Sequence, residues 1–181
     1  MPVLPMLIVV SGPPGTGKTT LAHRIAAGVG CPAICRDEIK EGMAHATPDF
    51  VPGPADPLTM RTLATFFDVL GLLIGRGSSV VGEAAFQDRL WRPGLTPLIG
   101  QAEIRIVHCT VPADVAFGRI TDRSGSTPSR AAHEDSQYDE QRRRTVHESF
   151  DPITLPVPTL TVDTSDGYSP AVPEILAFLA R

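Results

Sequence analysis

The chain reads Gly12-Pro13-Pro14-Gly15-Thr16-Gly17-Lys18-Thr19 near its amino terminus, and this stretch decides the fold. The apolar run just before it, residues 6–10, is typical of a strand buried in a parallel sheet. In the residues that follow, Leu21 and Ile25 are one helical turn apart, which indicates a helix. A strand, a glycine-rich loop and a helix are the context that a G-x-x-x-x-G-K-[ST] pattern requires, so we predict a phosphate-binding loop.

The residue types of this loop suit phosphate and magnesium. Glycines let the backbone curl so that its N–H groups surround phosphate oxygens, and the helix N-terminus adds partial positive charge. Lys18 can reach the β- and γ-phosphates of a nucleotide, and the Thr19 hydroxyl can bind Mg²⁺. We therefore predict that the chain binds a nucleoside triphosphate with Mg²⁺. The expected contacts are Gly12, Pro13, Pro14, Gly15, Thr16, Gly17, Lys18, Thr19 and Thr20.

Composition limits the class of protein. The 181 residues are expected to form a single domain, 1–181, and the net charge of −4 argues against a surface that grips long nucleic acid. The apolar amino terminus lacks a basic region, and no run of about 18 apolar residues is apparent, so we expect a cytoplasmic protein without a membrane span. Cys31 and Cys35 have no second Cys/His pair at metal spacing, which favours buried thiols over a zinc site.

Five apolar segments alternate with helical patterns, which predicts a three-layer α/β fold with a parallel sheet and helices on both faces. The predicted strands are residues 3–10, 31–35, 78–83, 103–110 and 159–163, and the predicted helices are 17–28, 37–46, 58–76, 112–123, 134–149 and 170–181. The proline-rich stretch 47–57 predicts an irregular surface excursion. Pro93 and Pro97 are expected to break the segment after the third strand, leaving a short helix near 95–101 at best.

Carboxylates follow two of these strands at the edge where ligands of parallel sheets bind. Asp37 ends the second strand, where a kinase needs a group that accepts the proton of an attacking hydroxyl; the alternative is that Asp37 only caps the next helix. Glu83 ends the third strand and either serves Mg²⁺ or substrate, or pairs with a nearby arginine. Substrate contacts are expected from Arg36, Asp37, Lys40 and Glu83.

Two arginines precede a stretch of small polar residues. Arg119 and Arg123 are four residues apart, so they share a helix face next to the predicted lid at about 123–136. Guanidinium groups beside a closing lid can neutralise the charge that develops on a transferred phosphoryl group. Arg123 is also an expected nucleotide contact. The alternative is a solvated helix face.

These motifs, in this order, resemble the P-loop kinases of the polynucleotide-kinase, zeta-toxin and chloramphenicol-phosphotransferase group, often labelled AAA-like ATP-binding proteins. The matching pieces are 12–19, 36–40, 80–86, the Arg119/Arg123 pair with a following His133, and 162–164. The resemblance implies a five-stranded sheet in the order 2-3-1-4-5, ATP as phosphoryl donor and a hydroxyl acceptor. It also implies that Asp37 is the general base and that Arg119 and Arg123 are lid arginines. Substrate does not transfer from this group, whose acceptors range from nucleic-acid ends to antibiotics.

Three functional hypotheses follow. The favoured one is a kinase that transfers the γ-phosphoryl of ATP to a hydroxyl of a small molecule. A second is a nucleotide-dependent switch or ATPase that acts through a partner protein. A polynucleotide 5′-kinase is disfavoured, because the chain is acidic and few aromatic residues (6%) accompany its basic ones.

Overall fold

A computed structural model describes residues 3–53, 56–124 and 140–180, apart from the side chains of Arg123, Ser124, Glu140, Arg142 and Arg143. The strands are β1 Met6–Ser11, β2 Ala33–Cys35, β3 Val80–Glu83, β4 Glu103–Thr110 and β5 Thr159–Asp163. The helices are α1 Lys18–Val29, α2 Arg36–His45, α3 Pro57–Gly75, α4 Asp88–Leu95, α5 Ala113–Ser124, α6 Glu140–Glu148 and α7 Val172–Leu179, with a 3₁₀ turn at Thr96–Leu98.

The five strands form one parallel sheet in the order β2-β3-β1-β4-β5, which confirms the predicted topology. The central strand, β1, pairs with β3 on one side and with β4 on the other. Val10 is in register with both Glu83 and Val107. Because all strands run in the same direction, the phosphate-binding loop, the start of α2 and the end of β3 meet at one edge of the sheet.

Apolar side chains cover both faces of the sheet, as the continuous apolar strands predicted. Leu7 and Val9 of β1 face the layer of α3 and α4, where they join Phe66, Leu70, Trp91 and Leu95. Ile8 and Val10 face the layer of α1 and α7, where they join Leu21, Ile25, Ile175 and Leu179. The alternation along β1 therefore gives two cores and the three-layer architecture.

The segment after β3 shows that the prediction of only a short helix near 95–101 was wrong. Helix α4 begins at Asp88 and contains Pro93. Asp88 accepts a hydrogen bond from the backbone N–H of Thr154 at 2.9 Å, and Trp91 is fully buried. Burial of the helix and this long-range bond offset the hydrogen bond that the proline nitrogen cannot donate.

Helix α3 matches the predicted helix 58–76 to within one residue at each end. Among the helices of the described residues, it is the one whose length and composition would suffice to cross a membrane. Its Phe66 and Leu70 side chains are nevertheless fully buried in the core, while Met60 and Leu72 are exposed. Here α3 packs on the sheet as a core helix.

Candidate functional site

The loop between β1 and α1 has the backbone conformation of a phosphate-binding nest. Gly12, Gly15 and Gly17 have φ angles of 146°, 83° and 72°. A Cβ on Gly12 would lie 2.3 Å from the carbonyl oxygen of Cys109 in β4, and one on Gly15 would lie 2.6 Å from that of Ala116 in α5. Glycine is therefore required by both the positive φ angles and the close approach of neighbouring backbone.

Lys18 opens α1 and is buried against the loop that precedes it. Its Nζ donates a hydrogen bond to the carbonyl oxygen of Pro13 at 2.9 Å and lies 3.5 Å from the hydroxyl oxygen of Thr16. The Thr16 hydroxyl donates to the same Pro13 carbonyl at 2.9 Å. These acceptors are neutral oxygens, so an anionic phosphate would bind the ammonium more strongly than they do.

Thr19 and Glu83 bring two side-chain oxygen atoms together at the C-terminal end of the sheet. The Thr19 hydroxyl donates to Oε2 of Glu83 at 2.9 Å, and Glu83 is buried. Burial raises the pKa of the Glu83 carboxyl, the positive charge of Lys18 opposes that shift, and the negative charge of Asp37 adds to it. A hydroxyl and a carboxylate beside a phosphate nest are the donor set that Mg²⁺ accepts, so these residues fit the predicted metal.

Asp37 lies in the first turn of α2, and the N-cap of that helix is Cys35. The alternative in which Asp37 is the helix cap is therefore wrong. The Asp37 carboxylate accepts a hydrogen bond from Arg36 at 3.0 Å, and its side chain is 44% exposed. Because its charge also acts on Glu83, Asp37 is close to the phosphate edge and still open to solvent. Its role as a general base stays a prediction.

Arg36 places a second, partly buried cation at this edge, in addition to Lys18. Its side chain is 14% exposed, and its guanidinium carbon lies 6.0 Å from the centre of the Phe86 ring. One guanidinium nitrogen donates to Asp37, and Nε is buried without a hydrogen-bond partner in the part of the chain that the structure describes. A buried donor of this kind suits an oxygen-bearing ligand.

The predicted substrate residue Lys40 lies one helical turn further along α2. Its Nζ is 2.7 Å from Oδ2 of Asp56, and both side chains are buried. Asp56 also caps α3 by accepting a hydrogen bond from the backbone N–H of Thr59 at 3.0 Å. Lys40 therefore joins α2 to α3, and its contact with substrate stays a prediction.

A cleft lies beside the loop, on the α5 side of the sheet. Arg119 lines it and donates hydrogen bonds to the carbonyl oxygens of Thr164 at 2.6 Å and Ser165 at 3.1 Å. Arg119 thus supports the segment after β5, and its action on a transferred phosphoryl group stays a prediction. The predicted lid at about 123–136 lies outside the described residues, except for the backbone of residues 123 and 124 at the end of α5. The side chain of Arg123 is not among those described.

Sequence reasoning assigned no site role to several residues of this cleft. Thr164 is buried and its hydroxyl lies 2.8 Å from the carbonyl oxygen of Thr16, which ties the segment after β5 to the loop. Arg24 and Tyr168 also line the cleft, with the Arg24 guanidinium 5.3 Å from the centre of the Tyr168 ring. Thr20 and Arg24 are one helical turn apart on α1, so the predicted nucleotide contact at Thr20 could have indicated that Arg24 lies on the same side of the helix.

His108 was also assigned no role by sequence reasoning. His108 lies on β4 in register with Ser11, which directly precedes the loop. Its ring stacks on that of Phe150, with the ring centroids 5.9 Å apart. Burial, with a smaller contribution from the charge of Lys18, lowers the pKa of His108. The lowered pKa favours a neutral imidazole at neutral pH, beside the loop that holds Lys18.

The glycine nest, the buried lysine and the threonine–glutamate pair, on a sheet of order 2-3-1-4-5, define a P-loop protein. The chain belongs to the AAA domain family AAA_33, whose family model matches residues 7–147. It is 30% identical over 135 residues to the uncharacterised protein Rv2004c of Mycobacterium tuberculosis. That match covers 70% of this chain and 27% of Rv2004c, so the chain spans about a quarter of the length of this relative.

Solved structures with the same fold include kinases. A candidate kinase from Chloroflexus aurantiacus is 26% identical, with a TM-score of 0.78, and the match covers 97% of this chain and 94% of that one. A gluconokinase from Sinorhizobium meliloti is 24% identical, with a TM-score of 0.61 and coverage of 99% and 94%. The fold is therefore that of P-loop kinases.

Proposed function

We propose that this chain is an ATP-dependent phosphotransferase that moves the γ-phosphoryl group of ATP to a hydroxyl of a small molecule. The observation that carries this proposal is the meeting of two features at one edge of the sheet. A phosphate-binding nest with its Thr19–Glu83 pair lies beside Asp37, a half-exposed carboxylate in the first turn of α2, just beyond the end of β2. A nucleotide-dependent switch needs the first feature and has no use for the second.

In the proposed reaction the chain supplies position, charge and a proton acceptor. The Lys18 ammonium, which donates to the Pro13 carbonyl oxygen in this structure, would donate to the β- and γ-phosphates instead. The N–H groups of the nest would hold the phosphate oxygens. Bound Mg²⁺ would be held near Thr19 and Glu83, and it would neutralise charge on the phosphates. The acceptor oxygen forms a bond to the γ-phosphorus while the bond to the bridging oxygen of ADP breaks, and Asp37 takes the hydroxyl proton.

The acceptor side of the proposed site is cationic and partly aromatic. Arg36 offers the buried Nε donor, and Phe86 packs beneath its guanidinium group. A small polar acceptor with a carboxylate or several hydroxyls would satisfy that donor. The gluconokinase with the same fold acts on a molecule of this kind, which supports including sugar acids among the acceptors tested.

The test is phosphoryl transfer from γ-labelled ATP to a panel of acceptors. The panel contains sugars, sugar acids such as gluconate, nucleosides, and aminoglycoside- and phenicol-type alcohols, with a 5′-hydroxyl oligonucleotide as a separate arm. We expect a labelled small-molecule product. Labelled oligonucleotide alone would favour the polynucleotide-kinase hypothesis. Hydrolysis that responds to a partner protein, with no labelled product from any acceptor, would contradict the proposal.

Lys18→Ala is the variant that ties any activity to this loop. It removes the ammonium that the site offers to the phosphates, and a hydrogen bond to a charged group contributes about 1.5–3 kcal/mol. We therefore expect calorimetry to show an ATP·Mg²⁺ affinity at least about tenfold lower. Unchanged affinity together with unchanged turnover would place nucleotide binding elsewhere.

A further inference from the structure

Three potential metal ligands from three elements meet beside the P-loop site. They are His23 of α1, Cys35 at the end of β2 and Glu38 of α2, and their ligand atoms all lie within 4.8 Å of one another. His23 Nε2 is 2.7 Å from Glu38 Oε1 and 3.7 Å from Cys35 Sγ. The cluster is invisible in sequence spacing, because no two of these residues belong to the same helix or strand.

These distances are close to those around a tetrahedral zinc ion. Bond lengths of about 2.3 Å to sulfur and about 2.0–2.1 Å to nitrogen, at the tetrahedral angle, separate the two ligand atoms by about 3.5 Å. The observed sulfur–nitrogen distance of 3.7 Å already matches this geometry. The nitrogen–oxygen pair would open from its hydrogen-bonded 2.7 Å to about 3.4 Å, a shift that two half-exposed side chains can make.

The surroundings of the cluster suit a cation that can be reached from solvent. His23 and Glu38 are 51% and 47% exposed, while Cys35 is buried behind them, so an ion would enter from the surface and keep its fourth position for water. Cys35 also contacts Glu83, which adds a second carboxylate near the thiol. A thiol, an imidazole and a carboxylate together favour Zn²⁺ over Mg²⁺ or Ca²⁺, which prefer oxygen ligands.

We propose that His23, Cys35 and Glu38 form a binding site for a thiophilic divalent cation of the Zn²⁺ class. On binding, sulfur, imidazole nitrogen and carboxylate oxygen each form a bond to the metal, and the thiol proton is released to solvent. To bind through Nε2, the neutral His23 ring moves to Nδ1 the proton that Nε2 donates to Glu38 in this structure. None of these three residues is the predicted Mg²⁺ ligand Thr19, although Cys35 contacts Glu83, and the site does not depend on the proposed phosphoryl transfer.

The experiment uses the full chain without an affinity tag. Zn²⁺ affinity is measured by competition with a chromophoric chelator, and Co²⁺ is added as a spectroscopic substitute for Zn²⁺. We expect one Zn²⁺ per chain and a near-ultraviolet thiolate-to-cobalt charge-transfer band. Cys35→Ser should remove the band, and His23→Gln, a change at an exposed position of α1, should lower the Zn²⁺ affinity at least about tenfold.

Matched controls keep the result specific to this cluster. Cys31→Ser changes a neighbouring thiol, and His45→Gln changes an exposed histidine of α2, and both should bind Zn²⁺ like the wild type. If Cys35→Ser folds poorly, His23→Gln and Glu38→Gln carry the test. Zn²⁺ affinity that is equal in the wild type and in both of these variants would overturn the proposal, and so would a charge-transfer band that persists in Cys35→Ser.

Discussion

At the scale of single residues, Asp37 separates a catalytic role from a structural one. Because Cys35 is the N-cap of α2, asparagine at position 37 would remove a charge without removing a cap. We expect Asp37→Asn to keep ATP affinity within about threefold and to lower phosphoryl transfer by roughly 10²–10⁴, the range of a positioned acid–base group. Calorimetry and transfer to the identified acceptor measure the two effects.

Asp68→Asn is the matched control for this variant. Asp68 is an exposed carboxylate on α3, so the same chemical change there should leave both measurements unchanged. If Asp37→Asn transfers phosphoryl at more than about half the wild-type rate, Asp37 is not the general base. The measurement requires the true acceptor, because background ATP hydrolysis need not use this carboxylate.

Glu83 links function to the pH dependence of stability. Burial raises its pKa above the ordinary value of 4.5, although Lys18 opposes the shift, so the folded state holds this proton more tightly than the unfolded chain does. Its contribution to stability is therefore complete below the unfolded pKa and is lost as pH rises through the folded pKa. Glu83→Gln removes the charge and keeps an acceptor for the Thr19 hydroxyl.

We expect nucleotide-free Glu83→Gln to melt at a higher temperature than the wild type near pH 8, and the two melting temperatures to converge near about pH 4. Turnover with Mg²⁺ should fall in the same variant, because the carboxylate that we propose holds the metal is gone. Thermal unfolding across this pH range and steady-state kinetics check both statements. A melting-temperature difference that does not change with pH would show that the Glu83 charge is not the cause.

At the scale of elements, the sequence predicted the strands and the phosphate-binding loop, which are specified by residues close together in the chain. The strands are buried apolar runs, and the loop is a short motif with a fixed chemistry, so both were found from the residues that form them. Helix α4 was missed because its stability comes from Trp91 burial and the Thr154 backbone, 66 residues from Asp88. The partner of Lys40 was missed for the same reason, since Asp56 lies 16 residues away, within the proline-rich stretch 47–57.

The Lys40–Asp56 ion pair should be the main tether between α2 and α3. Asp56→Ala removes the cap of α3 and leaves the Lys40 ammonium buried without this carboxylate. Breaking one side of a buried pair is expected to lower the free energy of unfolding by about 3–5 kcal/mol. Urea unfolding measures this free energy, and the exposed Asp68→Ala should change the free energy of unfolding by less than about 0.5 kcal/mol.

The double variant Lys40→Met/Asp56→Asn then tests the predicted substrate contact. It removes both charges and keeps an asparagine cap, so it should regain much of the stability that Asp56→Ala loses. A stable double variant with a raised KM for the acceptor would support a substrate role for Lys40. An unchanged KM would leave Lys40 as a purely structural residue.

At the scale of the whole molecule, the nucleotide is expected to contact several elements of the fold at once. The loop touches the segment after β5 through Thr164, and Arg119 of α5 holds that same segment. A ligand in the cleft beside them would contact α1, α5 and this segment together. Any ligand that binds only the folded state stabilises it by mass action.

We therefore expect ATP·Mg²⁺ at about one hundred times its Kd to add about 2.7 kcal/mol to the free energy of unfolding. For a chain of this size, that corresponds to a rise in Tm of about 5–10 °C. A non-hydrolysable ATP analogue with Mg²⁺ should give a similar shift, because the effect needs binding and not transfer. Asp37→Asn should retain the shift, since its carboxylate acts on the acceptor, whereas Lys18→Ala should lose most of it. If both variants lose the shift equally, Asp37 contributes to nucleotide binding, and its assignment as a base acting on the acceptor fails.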